Sequence, residues 1–191
     1  MVGNGRVRLR RKQFFQGHLD GLCGIYAVVN AVRLLFPRAL DDDKAEALFK
    51  QALLSIKRSL PQAVWDGTDK PEMRRMINAA CMFVSKDTSF PGALDYRFPF
   101  RRGRFKRIDA FWEELDPMLA QDGRVAILGF GEPDPHWTLV HRTTEKQLVL
   151  ADSSIYKTLS RRRVTLAATP RKTQWILDPQ ETLLVTRTAL S

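Results

Sequence analysis

Apolar residues return every three or four positions in four stretches of the chain, the spacing that stripes one face of a helix. In the first, Ile25, Val28, Val29, Val32, Leu35 and Phe36 share a face, and Pro37 ends the run. The second stripe is Ala45, Leu48, Phe49, Ala52, Leu53 and Ile56. Ahead of it stand Asp41, Asp42 and Asp43, which suit the positive end of a helix dipole. The third helix opens with "DKPE", where proline is well placed in a first turn, and carries Met73, Met76, Ile77, Ala80, Cys81 and Val84. Cys81 therefore reads as core. The fourth covers Ile108 to Leu119 and turns Ile108, Phe111, Trp112 and Leu115 inward.

Beyond residue 122 the period changes. "RVAILGF" is a short apolar run bounded by glycine, as a buried strand requires. "HWTLVHRT" and "KQLVLAD" predict two strands joined by a polar turn at 143–146, and "TQWIL" and "ETLLVTRTAL" predict two more. Helices first and an antiparallel sheet afterwards is the pattern of an α+β fold. No repeat or low-complexity linker divides the chain, so residues 1–191 read as a single domain. Residues 87–107, rich in Pro, Phe and Arg, carry no clear period.

Composition changes this picture in two ways. With 44% hydrophobic residues the chain can fill a core without staples, and two cysteines make no disulfide framework. The basic start, "MVGNGRVRLRRKQFF", has no apolar segment behind it, and no apolar run is long enough to cross a membrane. The expectation is a reducing, cytoplasmic location with free thiols, export as an effector remaining open. The net charge of +10 is the second feature, much of it in "RVRLRRK", in "RRGRFKR" at 101–107 and in "RRR" at 161–163. Such clusters fit an acidic partner, an anionic surface or nucleic acid. No helix-turn-helix, zinc finger or aromatic RNA-binding signature accompanies them, so nucleic acid is not expected as the main partner.

Chemistry enters at Cys23. Asp20 and Gly21 form a turn and cap that put this cysteine in the first turn of the first helix. Backbone N–H groups and the helix dipole there favour a thiolate; the alternative is a small buried hydrophobe. A nucleophile needs a base, and the histidines are His18, His136 and His141. His136 opens the strand "HWTLV" after the loop "GFGEPDP", and Asp152 closes "LVLAD". A turn centred on Thr144 sets the two directly opposite each other on one face. The carboxylate can then fix the imidazole tautomer while the second ring nitrogen faces the thiol. His141 points to the opposite face and reads as an ordinary strand residue. The Cys23 backbone N–H is one donor for an oxyanion, and the Gln16 side chain is nearer in sequence than that of Gln13 as a second.

Gln, then Cys-Gly at the start of an apolar helix, then His before a strand and Asp at the end of the next resembles the papain-like cysteine peptidase superfamily. "DGLCGIYAVVNA", "HWTLV" and "LVLADSS" look most like the compact bacterial branch around the double-glycine leader peptidases. The cysteine segment is also similar to deubiquitinases of the ovarian-tumour and Josephin types. The resemblance covers the two ends of the site and not residues 40–122. It implies a papain-like α+β fold, with Cys23 as nucleophile, His136 as general base and then acid, Asp152 as orienting carboxylate and Gln16 as oxyanion donor. The spacing from Gln16 to Cys23 is one residue longer than the family usually shows, which leaves the Asp20 region as an alternative to Gln16. Trp137 either shields the imidazole or belongs to the core.

A thioester on Cys23 can be resolved by water, as in a peptidase, or by an amine, as in a transglutaminase. The leading expectation is a cysteine protease acting on a peptide or protein amide, with no cofactor and no metal. A glutamine deamidase or transglutaminase-type effector is the alternative. From a different class comes a catalytically silent module that binds a partner through its basic surface.

Overall fold

The computed structural model describes residues 13–16, 21–131, 135–154, 156–166 and 174–189. His18, Asp20 and the basic stretch "RVRLRRK" lie outside the described residues. Five helices, α1 (Cys23–Leu35), α2 (Asp42–Ser55), α3 (Leu60–Asp66), α4 (Lys70–Lys86) and α5 (Ile108–Leu119), accompany an antiparallel sheet. The strands are β1 (Ala93–Arg97), β2 (Arg124–Phe130), β3 (His136–Thr143), β4 (Gln147–Leu150), β5 (Thr158–Ser160), β6 (Val164–Thr165) and β7 (Trp175–Thr188). The main sheet runs β1-β7-β2-β3-β4-β5, and β6 pairs in parallel with the start of β7. The α+β expectation holds at this level.

Local chemistry sets the helix starts. The Asp41 carboxylate accepts the Lys44 N–H at 2.8 Å and caps α2. Asp69 and Glu72 close a full capping box on α4, the Glu72 N–H donating to Asp69 at 2.7 Å and the Asp69 N–H to Glu72 at 2.9 Å. Among the described residues no side chain caps α1. Its entry is fixed instead by the Gly21 N–H donating to the Val64 carbonyl at 2.6 Å, with the chain pressed on the turn after α3. A Cβ on Gly21 would stand 2.8 Å from the Gly67 nitrogen, so only glycine lets the two backbones approach this closely.

The sheet is covered on both faces. Residues 125, 127, 137, 139, 183 and 185 face α1, α2 and α4 in one hydrophobic cluster. Residues 126, 128, 130, 140, 148 and 184 face α5 in the other. From Val125 on, β2 therefore has no solvent face, which is why its sequence runs apolar there instead of alternating.

Three differences from the sequence expectation follow from pairing between distant segments. The 87–107 stretch contains β1, an edge strand held by β7. The two strands expected in "TQWIL" and "ETLLVTRTAL" are joined, within the described residues, into the single strand β7 from Trp175 to Thr188. Its pairing with β2 jumps from Leu128 opposite Thr182 to Phe130 opposite Leu177, so the residues around Pro179 are accommodated as an irregularity. The short elements α3, β5 and β6 carry no period of their own.

Candidate active site

Cys23 is the first residue of α1, and α1 lies across β3, β2 and β7 with its N-terminus at the start of β3. The sulfur is nearly buried, with 5% of the residue exposed. The Trp137 backbone N–H donates to Sγ at 3.4 Å, and the thiol donates to the Gly21 carbonyl at 3.8 Å. His136, the residue before Trp137, has its Nε2 2.8 Å from Asp152 Oδ2, and its ring also interacts electrostatically with Cys23. The imidazole thus couples to both thiol and carboxylate.

Neither a protein-family model, nor a curated protein, nor a solved structure matches the chain. The chemistry of the site therefore rests on its own geometry.

Electrostatics bind the three groups together. Burial pushes the His136 pKa down, but the hydrogen bonds to Asp152 and Cys23, with the Asp152 charge, overcome it and raise the value to about 10. Burial pushes Asp152 up, yet the hydrogen bond and charge of His136 and the bond from Ser154 hold its carboxyl below the usual range. Ser154 supplies both its N–H, at 2.7 Å, and its hydroxyl to Asp152 Oδ1. His136 and Asp152 are thus an imidazolium–carboxylate pair through the neutral range.

The hairpin that joins them forms, in a different register. Thr144 and Gln147 close the turn around Glu145 and Lys146, later than a turn centred on Thr144 would, and Thr143 pairs with Leu148. A bulge between Val140 and Arg142 then shifts the ladder, so Val140 faces Leu150 and the Ala151 N–H donates to the Leu139 carbonyl at 2.9 Å. Continued, this register puts Thr138 opposite Asp152 and makes His136 the diagonal neighbour of the carboxylate. The displacement is an even number of residues, so both side chains keep the same face. His141 sits at the bulge with its pKa lowered by burial and by Arg142, away from the pair.

Gln16 lies against the Asp152 corner. Its N–H donates to the Ser153 carbonyl at 2.7 Å, and its Oε1 accepts the Ser153 hydroxyl at 3.2 Å. Gln13 is also built into this corner: its amide donates to the Asp152 carbonyl at 2.9 Å. Distance from Cys23 along the chain counts against Gln13, whereas its contact is with the carboxylate residue. Asn30 goes unmarked by sequence reasoning. It is buried in α1, where its amide donates to Phe14 O at 3.1 Å and Ala151 O at 3.5 Å while its carbonyl accepts the Phe14 N–H at 3.0 Å. A signal for it does exist: a lone polar residue inside an apolar helix, two turns after Cys23. Asn30 thereby fastens the residue before Asp152 to the nucleophile's own helix.

Of the two roles considered for Trp137, the structure gives it the core. The residue is 5% exposed, and its indole N–H donates to the Thr68 carbonyl at 2.7 Å. A cavity of about 210 Å³ has His136 and Asp152 in its wall and Phe130, Leu159 and Trp175 as apolar lining. Among the described residues no His, Cys, Asp or Glu cluster is placed to hold a metal ion. No helix there is long and apolar enough to cross a membrane. Cys81 is half-buried, with a thiol pushed up to about 11 by burial and the Asp95 charge, which disfavours the thiolate.

Proposed function

We propose that the chain is a papain-like cysteine hydrolase that cleaves a peptide or protein amide through Cys23, His136 and Asp152. The observation that carries this reading is the placement of His136, its Nε2 2.8 Å from Asp152 Oδ2, directly before Trp137, whose backbone N–H donates to the Cys23 sulfur at 3.4 Å. An imidazolium beside a cysteine at a helix start is the arrangement that supplies a thiolate nucleophile near neutral pH.

In this mechanism Cys23 Sγ attacks the amide carbon, and the carbonyl electron pair moves onto oxygen. The first N–H groups of α1 have no intrahelical acceptor, so the Cys23 N–H stabilises that oxyanion. The C–N bond then breaks as His136 gives its proton to the leaving amine, and a thioester remains on Cys23. Water attacks the thioester while His136 takes a water proton; the carboxylic acid leaves and the thiolate–imidazolium pair returns. Asp152 holds the ring orientation throughout and stabilises its charge.

The test is a proteome-derived peptide library incubated with the full chain and with Cys23→Ala, the products read by mass spectrometry. New amino termini that depend on Cys23 are expected. Glutamine converted to glutamate without cleavage would instead assign a deamidase, and identical spectra from both chains would contradict the hydrolase reading.

A further inference from the structure

Along α4 and the edge strand β1 runs a groove of about 860 Å³ that is separate from the catalytic cavity. Lys70, Arg74, Arg75, Arg97 and Arg101 line it, and among the described residues no carboxylate does. Lys70, Arg74 and Asn78 follow at four-residue intervals, so one face of α4 forms the floor over about 12 Å. Among the described residues, Arg75 alone of these cations has an ion pair, a loose one to Glu72 at 3.7 Å. Elsewhere Arg33, Lys44, Lys50 and Arg161 are each held by an acidic partner within 3 Å. Among the described residues Lys70, Arg74, Arg97 and Arg101 have no carboxylate within 4 Å, so the groove gathers more positive charge than its acidic neighbours Glu72 and Glu181 offset, and an anionic ligand would relieve the repulsion.

Its position ties it to the site. The groove begins at Lys70, two residues after Thr68, whose carbonyl holds the indole of Trp137. Trp137 in turn follows His136 and donates to the Cys23 sulfur.

We propose that this groove binds an acidic, extended polypeptide segment. That the segment belongs to the molecule being cleaved rests on the hydrolase reading; the binding itself does not. A floor of about 12 Å matches roughly four residues of extended chain. Side chains, not strand addition, provide the recognition, because the Tyr96 N–H on the edge strand is taken by the Asp95 carboxylate at 2.8 Å. The aromatic rings argue for peptide over single-stranded nucleic acid, which needs open faces for base stacking. Tyr96 and Phe98 pack edge to face at 6.1 Å, Lys70 covers Phe98 at 5.3 Å, and the Tyr96 hydroxyl is spent on Asn78 at 2.7 Å.

Fluorescence anisotropy of a labelled hexaglutamate peptide with the full chain tests this. The peptide should bind at low salt, and Arg74→Glu with Arg101→Glu should weaken it about tenfold or more, whereas the remote, exposed Arg58→Glu should leave it within about twofold. The milder Arg74→Gln with Arg101→Gln should show a smaller loss, and circular dichroism confirms that both pairs of substitutions fold. No binding, or an equal loss in Arg58→Glu, would overturn the proposal. So would tighter binding of an oligouridylate of equal charge that the same reversal abolishes, which would reassign the groove to nucleic acid. Anisotropy needs no turnover, and alkylation of Cys23 needs no groove, so failure of one leaves the other standing.

Discussion

At the scale of single residues, the imidazole of His136 is where local chemistry departs furthest from what a histidine does in water. Its ordinary pKa of 6.5 becomes about 10 because two hydrogen-bonded partners outweigh the burial that works against its charge. Removing Asp152's charge with Asp152→Asn leaves the burial and takes away the larger support, so the titration followed by NMR at the ring Cε1–H should fall by more than Cys23→Ser makes it fall. An unchanged titration in Asp152→Asn would contradict the pairing. The sign of the linkage also follows. The proton held by folded His136 stabilises the fold fully below 6.5, and that contribution is lost as pH rises through about 10. Asp152, held low, contributes above the ordinary carboxylate range and loses its contribution as pH falls through its folded value. The stability difference between the chain and His136→Gln should therefore be level in mildly acidic solution and vanish above about 10. Cys23, His136 and Asp152 were legible in the sequence because each stands at the end of an element, where a side chain can point into a cleft. Gln13 was not, because its work is hydrogen bonding to the backbone of a segment more than a hundred residues away, and nothing local marks a residue for that; Asn30 shares that work with Ala151, and only its polarity inside an apolar helix marks it.

Among the elements, α1 shows how close packing aims a nucleophile. Gly24 follows Cys23, and a Cβ there would strike the Thr68 hydroxyl and come within 2.7 Å of the Met73 sulfur. Gly24→Ala must displace the Thr68 and Met73 side chains packed on α1, and overpacking of this kind costs about 1–3 kcal/mol. Urea denaturation should record that loss, and the rate of Cys23 alkylation should fall with it, since the sulfur moves relative to His136. Full stability in Gly24→Ala would mean that the contact is not a tight one. The long helices α1, α2, α4 and α5 were readable because each carries its own amphipathic stripe. β1, β5 and β6 were not, because short strands owe their stability to partners distant in sequence. The β3–β4 hairpin lies between these cases: its strands were clear, while its register depended on a bulge that has no signature in the sequence.

For the molecule as a whole, the strands β2, β3 and β7 are shared, since each sends residues into the two hydrophobic clusters on opposite faces of the sheet. Neither layer can open without exposing the other's wall. Tryptophan fluorescence reports both sides, Trp137 lying in the cluster under α1 and Trp112 in the cluster under α5. Chemical unfolding followed by fluorescence and by far-UV circular dichroism should give one coincident transition. Separate midpoints would show that the α1 layer and the α5 layer unfold independently. The net charge of +10 was visible from composition, but its organisation was not. Of the described residues in the clusters apparent in the sequence, only Arg101 lines the α4–β1 groove; its other described cations come from positions scattered along α4 and β1.

The most direct measurement is the mass of the intact chain after brief iodoacetamide treatment at pH about 6, where an ordinary thiol is slow to react. It is made on the chain itself and on His136→Ala. One rapid adduct on Cys23, lost in His136→Ala and absent from Cys81, is the predicted result. Slow and equal labelling of both chains would contradict it and leave Cys23 an ordinary buried thiol.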